Sequence, residues 1–241
     1  MTNAEIILQF ASSQSATFLR RDLLQWVRAK MPSASVGSID VTLRKLTNQG
    51  ILNRVKNGVY KICPNYKVKF SVRLDEESKS LYKAVRELYP YTKLCIWNAN
   101  VISSFMQHIP NVNMIILETE RHAMEALFSD LGQLSERHAL LKPTEKEYSL
   151  YASGRPCIIV KPLISEAPLN RIDEIDTPRV EKILVDISID PEFPYAREAE
   201  LYSIFENVGE HYSVDTKCML RYASRRGKKD KILNLINSTI L

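Results

Sequence analysis

The sequence predicts an α+β chain of two domains: a small, basic, mainly helical one over residues 1–73, and a larger α/β one over 74–241 that ends in a helical tail. Three observations carry that expectation. Charge is segregated along the chain, with residues 1–73 at net +9, 74–216 at net −10 and 217–231 at net +6. Apolar residues recur at helical spacing through the first half-hundred positions, then in short continuous runs alternating with helical stretches. From Pro178 the pattern turns helical to the end. The composition, 45% apolar and 25% charged in 241 residues, is that of a globular chain long enough to bury its own core.

In the first domain, Ala4, Ile7, Leu8 and Ala11 mark a short helix that the polar Ser12-Ser-Gln-Ser15 ends. Thr17-Phe18-Leu19 suits a short strand. Arg21 to Lys30 reads as a second helix, with Leu23, Leu24 and Val27 inward and Trp26 flanking, stopped by Met31-Pro32. Ser33-Ala-Ser35 supplies an N-cap for a third helix running to about Asn48, with Gly50 as its stop. Val36, Ile39, Leu43 and Leu46 form the inward stripe of that helix. Its outward face, from Gly37 and Ser38 through Val41, Arg44, Lys45 and Asn48 with Thr42 at the edge, is small and polar early, then basic. A helix entering the major groove of DNA needs that order, because small residues allow close approach and basic ones grip phosphate or guanine. The stretch from Gly50 to Ile62 then suits two short strands around Lys56-Asn57-Gly58, since Asn-Gly tolerates positive φ. Three helices followed by a hairpin with a basic tip make the winged helix-turn-helix plan.

Beyond a boundary at Arg73-Leu74, residues 76–88 read as a helix with Leu81, Val85 and Leu88 inward. Strands are expected at Leu94–Trp97, Met114–Leu117 and Cys157–Val160, and helices at Ala99–Gln107 and Glu120–Leu131, the latter with Ala123, Leu127, Phe128 and Leu131 inward. The tail reads as helices over 178–189, 196–209, 213–225 and 228–238.

Motifs for catalysis are scarce. There is no GxxxxGK[ST], GxGxxG or GxSxG. The four histidines form no HxH or HxxxH pair, and no two of the four cysteines are closer than 32 positions, so no metal site or cofactor is expected. Well-separated cysteines beside apolar residues fit free thiols in a reducing, cytoplasmic compartment. The N-terminus has no secretory leader pattern, and no apolar run approaches the ~20 residues of a membrane helix. Asp186 and Asp190, four apart, read either as a pair on one helix able to bind a metal or as one flanking carboxylate and one N-cap or turn carboxylate before Pro191; Glu181-Lys182 reads either as part of a nuclease ExK pair or, with no catalytic Asp placed before it, as a surface ion pair. Arg221, Arg225, Arg226, Lys228 and Lys229, with Lys231, form a second basic patch that Gly227 interrupts.

Two stretches, 42–60 (from Thr42-Leu-Arg-Lys-Leu to Asn57-Gly-Val-Tyr60) and Thr177-Pro-Arg-Val-Glu-Lys-Ile-Leu-Val-Asp186, together with Tyr222-Ala-Ser-Arg-Arg-Gly227, resemble the AbiEi-type antitoxins of bacterial abortive-infection, type IV toxin–antitoxin systems. The resemblance implies a DNA-binding domain that represses its own operon. It also implies an antitoxin domain opposing a nucleotidyltransferase-like toxin, with or without direct binding.

The expected function is therefore that of a non-enzymatic, sequence-specific regulator of double-stranded DNA. Ser38, Thr42 and Lys45 are expected at base edges or in the groove, and Arg20, Arg21, Arg44, Arg54 and Lys56 on phosphates. Two rivals remain: a nuclease or nucleotidyltransferase guided by the winged helix, which needs clustered carboxylates in the α/β part, and a protein-interaction module.

Overall fold

The computed structural model describes residues 2–14, 17–63, 67–106, 108 and 110–239. The chain forms two compact units, Met1–Val68 and Lys69–Leu241. The division falls a few residues before the expected Arg73-Leu74, because Val72 is buried in the core of the second unit.

The first unit contains α1 (Asn3–Ser12), β1 (Phe18–Leu19), α2 (Arg20–Lys30), α3 (Val36–Asn48), β2 (Leu52–Lys56) and β3 (Val59–Ile62). Thr2 and Glu5 form a capping box at the start of α1, and Ser35 accepts from the Ser38 N–H at the start of α3. Gly50, at φ +69°, turns the chain out of α3. The strands form an antiparallel sheet in the order β1-β3-β2. Ile6, Ile7, Phe10, Leu23, Val27, Ile39, Leu43, Leu46 and Leu52 fill the core, and Phe18 stacks on Tyr60. Val36, expected inward, is exposed. It opens the helix, and side chains lean toward the helix N-terminus, so Val36 overhangs the capping turn instead of reaching the core.

In the second unit, α4 (Glu76–Leu88) precedes a sheet of β4 (Leu94–Asn98), β5 (Met114–Thr119), β6 (His138–Leu141) and β7 (Cys157–Pro162). The order is β4-β5-β7-β6; β5, β6 and β7 run parallel and β4 is antiparallel to β5. A 3₁₀ segment (Ala99–Phe105) follows β4, α5 (Met124–Leu134) leads from β5 to β6, and α6 (Glu145–Tyr151) from β6 to β7. A two-stranded ribbon of β8 (Leu169–Ile172) and β9 (Ile175–Pro178) comes next, then α7 (Val180–Ile189), α8 (Glu198–His211), α9 (Thr216–Arg225) and α10 (Lys229–Asn237).

Alternation along the strands divides the core in two. Leu94, Ile96, Ile115, Leu117, Ile158 and Val160 face α4 and α5. Cys95, Trp97, Met114, Ile116, Cys157 and Ile159 face α6 and the four-helix tail. Strands covered on both faces read as continuous apolar runs, which is why these were visible in the sequence.

Several expected elements differ. The Ala99–Gln107 helix is a 3₁₀ segment that stops at Phe105, and Gln107 lies outside the described residues. Glu120–Ala123 form a turn before α5, with Ala123 at its N-cap, and Phe128 is only half-buried. Leu88 is exposed: the buried stripe of α4 is Ser78, Leu81, Tyr82 and Val85, and Leu88 falls at its margin in the last turn. Among the described residues, no helix is long and apolar enough to cross a membrane. All four cysteines are free; Cys63 is half-buried and the others are buried.

Candidate nucleic-acid interface

In the first unit the sequence around Arg20 couples three elements. The Arg20 N–H donates to the Gly58 carbonyl at 2.8 Å, tying the start of α2 to the hairpin turn. Its guanidinium spans to α3, donating through Nε and Nη2 to the two oxygens of Asp40, each at 2.6 Å. These hydrogen bonds lower the Asp40 pKa and raise that of Arg20 further. Arg20, expected on a phosphate, is thus a strut between α2 and α3. Its neighbour Arg21 is exposed and pairs with Asp22 at 3.3 Å.

Two hydroxyls expected at base edges are engaged within α3. Ser38 Oγ donates to the Ser35 carbonyl, and Thr42 Oγ1 donates to the Ser38 carbonyl, both at 2.8 Å. Both residues are half-buried. Beyond the opening Val36, the exposed surface of α3 is instead Gly37, Val41, Arg44, Lys45 and Asn48, which fall within about 100° of arc at the helical period. On the hairpin, Asn57-Gly58 forms the two-residue turn, with Gly58 at φ +71°. Arg54 Nη2 donates to Asn57 Oδ1 at 2.6 Å, and Lys56 is exposed. A register shift between Arg54 and Lys56 leaves Val55 as a bulge. The unit thus carries an exposed cationic helix face and an exposed cationic hairpin.

The expected second basic patch is partly paired within its own unit. Arg221 and Arg225 both pair with Glu166. Lys231 Nζ donates to the Ser188 carbonyl at 2.5 Å. Arg226 turns inward, donating to Asp186 Oδ1 at 2.7 Å and to Asp190 Oδ1. Lys228 and Lys229 are exposed.

Arg226 belongs to a buried ion cluster at the carboxyl ends of β5 and β7. Glu118 and Lys161 are register partners on those strands. Lys182 Nζ donates to Glu118 Oε1 at 2.6 Å and to Asp186 Oδ2 at 2.5 Å. Lys161 Nζ donates to Asp190 Oδ2 at 2.6 Å and Glu192 Oε1 at 2.8 Å. Tyr222 OH donates to Asp186 Oδ1 at 2.9 Å. Burial drives the Asp186 pKa up, but Lys182, Lys161 and Arg226 outweigh it and hold the carboxyl at about 2. Burial raises Glu118 and Glu192 despite their lysine partners. It also disfavours the two ammoniums, which their carboxylates hold well above the usual lysine value. A crevice of about 190 Å³ opens onto the cluster beside Lys142, Ile159, Lys161, Asp190, Glu192 and Arg226.

The cluster answers the question left open for Asp186 and Asp190. Asp186 is inside α7, Asp190 caps its end, and both are held by cations rather than by each other. Glu181 and Lys182, expected as a surface pair, are both buried and are not each other's partners: Glu181 Oε1 accepts from Arg179 and from the Asp215 N–H, each at 2.9 Å. Glu118, Lys161 and Glu192 carried no motif. The one signal was a charge ending each apolar strand, Glu118 after Met114–Leu117 and Lys161 after Cys157–Val160. No group of three or more metal-ligating side chains is found among the described residues.

Residues 38–241 match the profile of a family of unknown function, DUF6577. No curated protein matches the chain. The match begins in α3 and runs through the hairpin and the whole of the second unit, so it spans the cationic helix face and the buried cluster alike. The chain belongs to the family DUF6577.

Proposed function

We propose that the first unit is a winged-helix module that binds double-stranded DNA, and that the whole chain is a sequence-specific transcriptional regulator, the antitoxin and autorepressor of a type IV toxin–antitoxin pair. The observation that carries the DNA reading is the outer face of α3. Five exposed residues in one stripe, two of them cationic, are joined by a hairpin that presents Arg54 and Lys56. A helix inserted in the major groove and a hairpin on the flanking backbone use these residue types.

The antitoxin reading rests on the likeness of Thr177–Asp186 and Tyr222–Gly227 to that family. These two stretches meet in the second unit, where Tyr222 and Arg226 both bond to Asp186. Asp186 has an ammonium on one oxygen and a guanidinium and a phenol on the other, so a metal ion would have to displace them. That arrangement favours a non-enzymatic second unit.

The test is binding of the full chain to duplex DNA across a salt series. With about five phosphate contacts, log Kd against log salt is expected to have a slope of magnitude about 4–5. Lys56→Ala reduces the slope by about one, whereas Arg20→Gln, which removes a strut, leaves it unchanged. A flat salt response, or no binding at low salt, removes the DNA reading.

A further inference from the structure

α3 carries two residues for which its own fold gives no reason. Gly37 sits in the first turn with helical backbone, and a Cβ placed there meets nothing within 4 Å. Neither backbone conformation nor crowding requires glycine, and glycine disfavours a helix relative to alanine. Val41, one turn later on the same stripe, is 65% exposed. A single exposed apolar residue is ordinary. Here it lies beside a bare stretch of helix, in a face otherwise made of Arg44, Lys45 and Asn48. The side chains beside it are turned away from such a role: Asp40 is held by Arg20, and the Thr42 hydroxyl by the helix backbone. Glycine is used where backbone approaches a ligand closely, and an exposed isopropyl group flanked by cations matches the C5-methyl group of thymine, the one apolar feature of the major groove.

We propose that Gly37 clears the helix for close approach to the groove and that Val41 packs on the methyl group of a thymine, making the bound sequence dependent on thymine at that step. The inference rests on the reading of the first unit as a DNA-binding module. It adds a specificity contact that Ser38, Thr42 and Lys45 do not supply.

The probe is a duplex enriched from a randomised pool by the full chain, with each thymine replaced in turn by deoxyuridine, which lacks only the methyl group. One position is expected at which the replacement weakens binding about threefold to tenfold, as loss of one buried methyl contact implies. In Val41→Ala the same replacement changes nothing further. Because Val41 is exposed and alanine favours a helix, this variant is expected to melt at or slightly above the parent chain. Gly37→Ala gives an opposed signature: a higher melting temperature with weaker binding. Binding that is indifferent to every methyl group, or equally sensitive in Val41→Ala, overturns the thymine contact while leaving the DNA reading intact. Unimpaired binding by Gly37→Ala overturns the close approach. A pool from which nothing is enriched overturns both this inference and the DNA reading beneath it.

Discussion

Asp186 shows what a single residue contributes when burial and charge oppose each other. Burial favours its neutral form, yet three cations hold it ionised at about 2, below the ordinary value of 3.8. A carboxyl whose folded value is lowered contributes stability above its unfolded pKa and loses it as pH falls through the folded value, on the order of 2 kcal/mol over about pH 4 to 2. Glu118 and Glu192 act with the opposite sign. Their folded values are raised, so protonation on acidification favours the folded state until the unfolded carboxyls also protonate. The cluster explains both directions: four carboxylates face Lys161, Lys182 and Arg226, so one proton balances the charge. Unfolding by urea is therefore expected to show stability rising as pH falls toward about 4.5, then dropping below about 4. Glu192→Gln should flatten the rise and keep the drop. Stability that falls steadily from pH 7 in both proteins counts against this balance.

Elements whose instructions are local were legible, and those whose partners are distant were not. The hairpin of the first unit was visible because Asn57-Gly58 states its own turn: Gly58 takes φ +71°, which a side chain strains without clashing with any neighbour. Gly58→Ala is accordingly expected to cost about 1–2 kcal/mol through backbone strain alone, read as a lower melting temperature. A cost near zero would mean that the turn relaxes to another type. The β8–β9 turn uses the same left-handed region at Asp173 and Glu174, at φ +48° and +65°, without a glycine to announce it. β6 was missed because its edge position leaves its residues exposed or half-buried, without alternation. α7 misled for another reason. Val180 through Ser188 are all buried, so a helix carrying Glu181, Lys182 and Asp186 has no solvent face. Apart from Arg179 beside Glu181, the charges that make this tolerable come from β5, β7 and Arg226 just after α9, and no local pattern points to them. On α3 the inward stripe was legible from Ile39 through Leu46 but not at Val36, and the division of its outer face was not. Which hydroxyls bond back to the helix, and that Arg20 is taken by Asp40, depend on a packed arrangement.

At the scale of the whole molecule, the division into two compact units predicts that two activities are separable. The first unit holds the exposed cations of α3 and the hairpin. The second is acidic over 74–216 and pairs part of its basic patch with Glu166, Asp186 and Asp190, while Arg221, Arg225, Lys228 and Lys229 stay exposed. Like charge makes that acidic stretch a poor surface for phosphate, so repression is expected to depend on the first unit. The full chain carrying Arg44→Ala, Lys45→Ala and Lys56→Ala should lose repression of its own promoter by tenfold or more, since each cationic contact is worth about 1 kcal/mol or more. These positions are exposed, so the melting temperature should stay within a few degrees. On the proposed antitoxin reading, the same variant should still relieve the toxicity of a cognate toxin, if an adjacent gene encodes one. Lys228→Glu with Lys229→Glu should do the reverse, leaving repression intact and weakening neutralisation if the exposed part of the patch carries that activity. The readouts are a promoter fusion and growth in the same cells. Should the α3 and hairpin variant fail to neutralise although its protein accumulates normally, neutralisation works through DNA and the two-activity reading falls. Should both variants neutralise fully, the antitoxin surface lies elsewhere on the second unit than at Lys228 and Lys229.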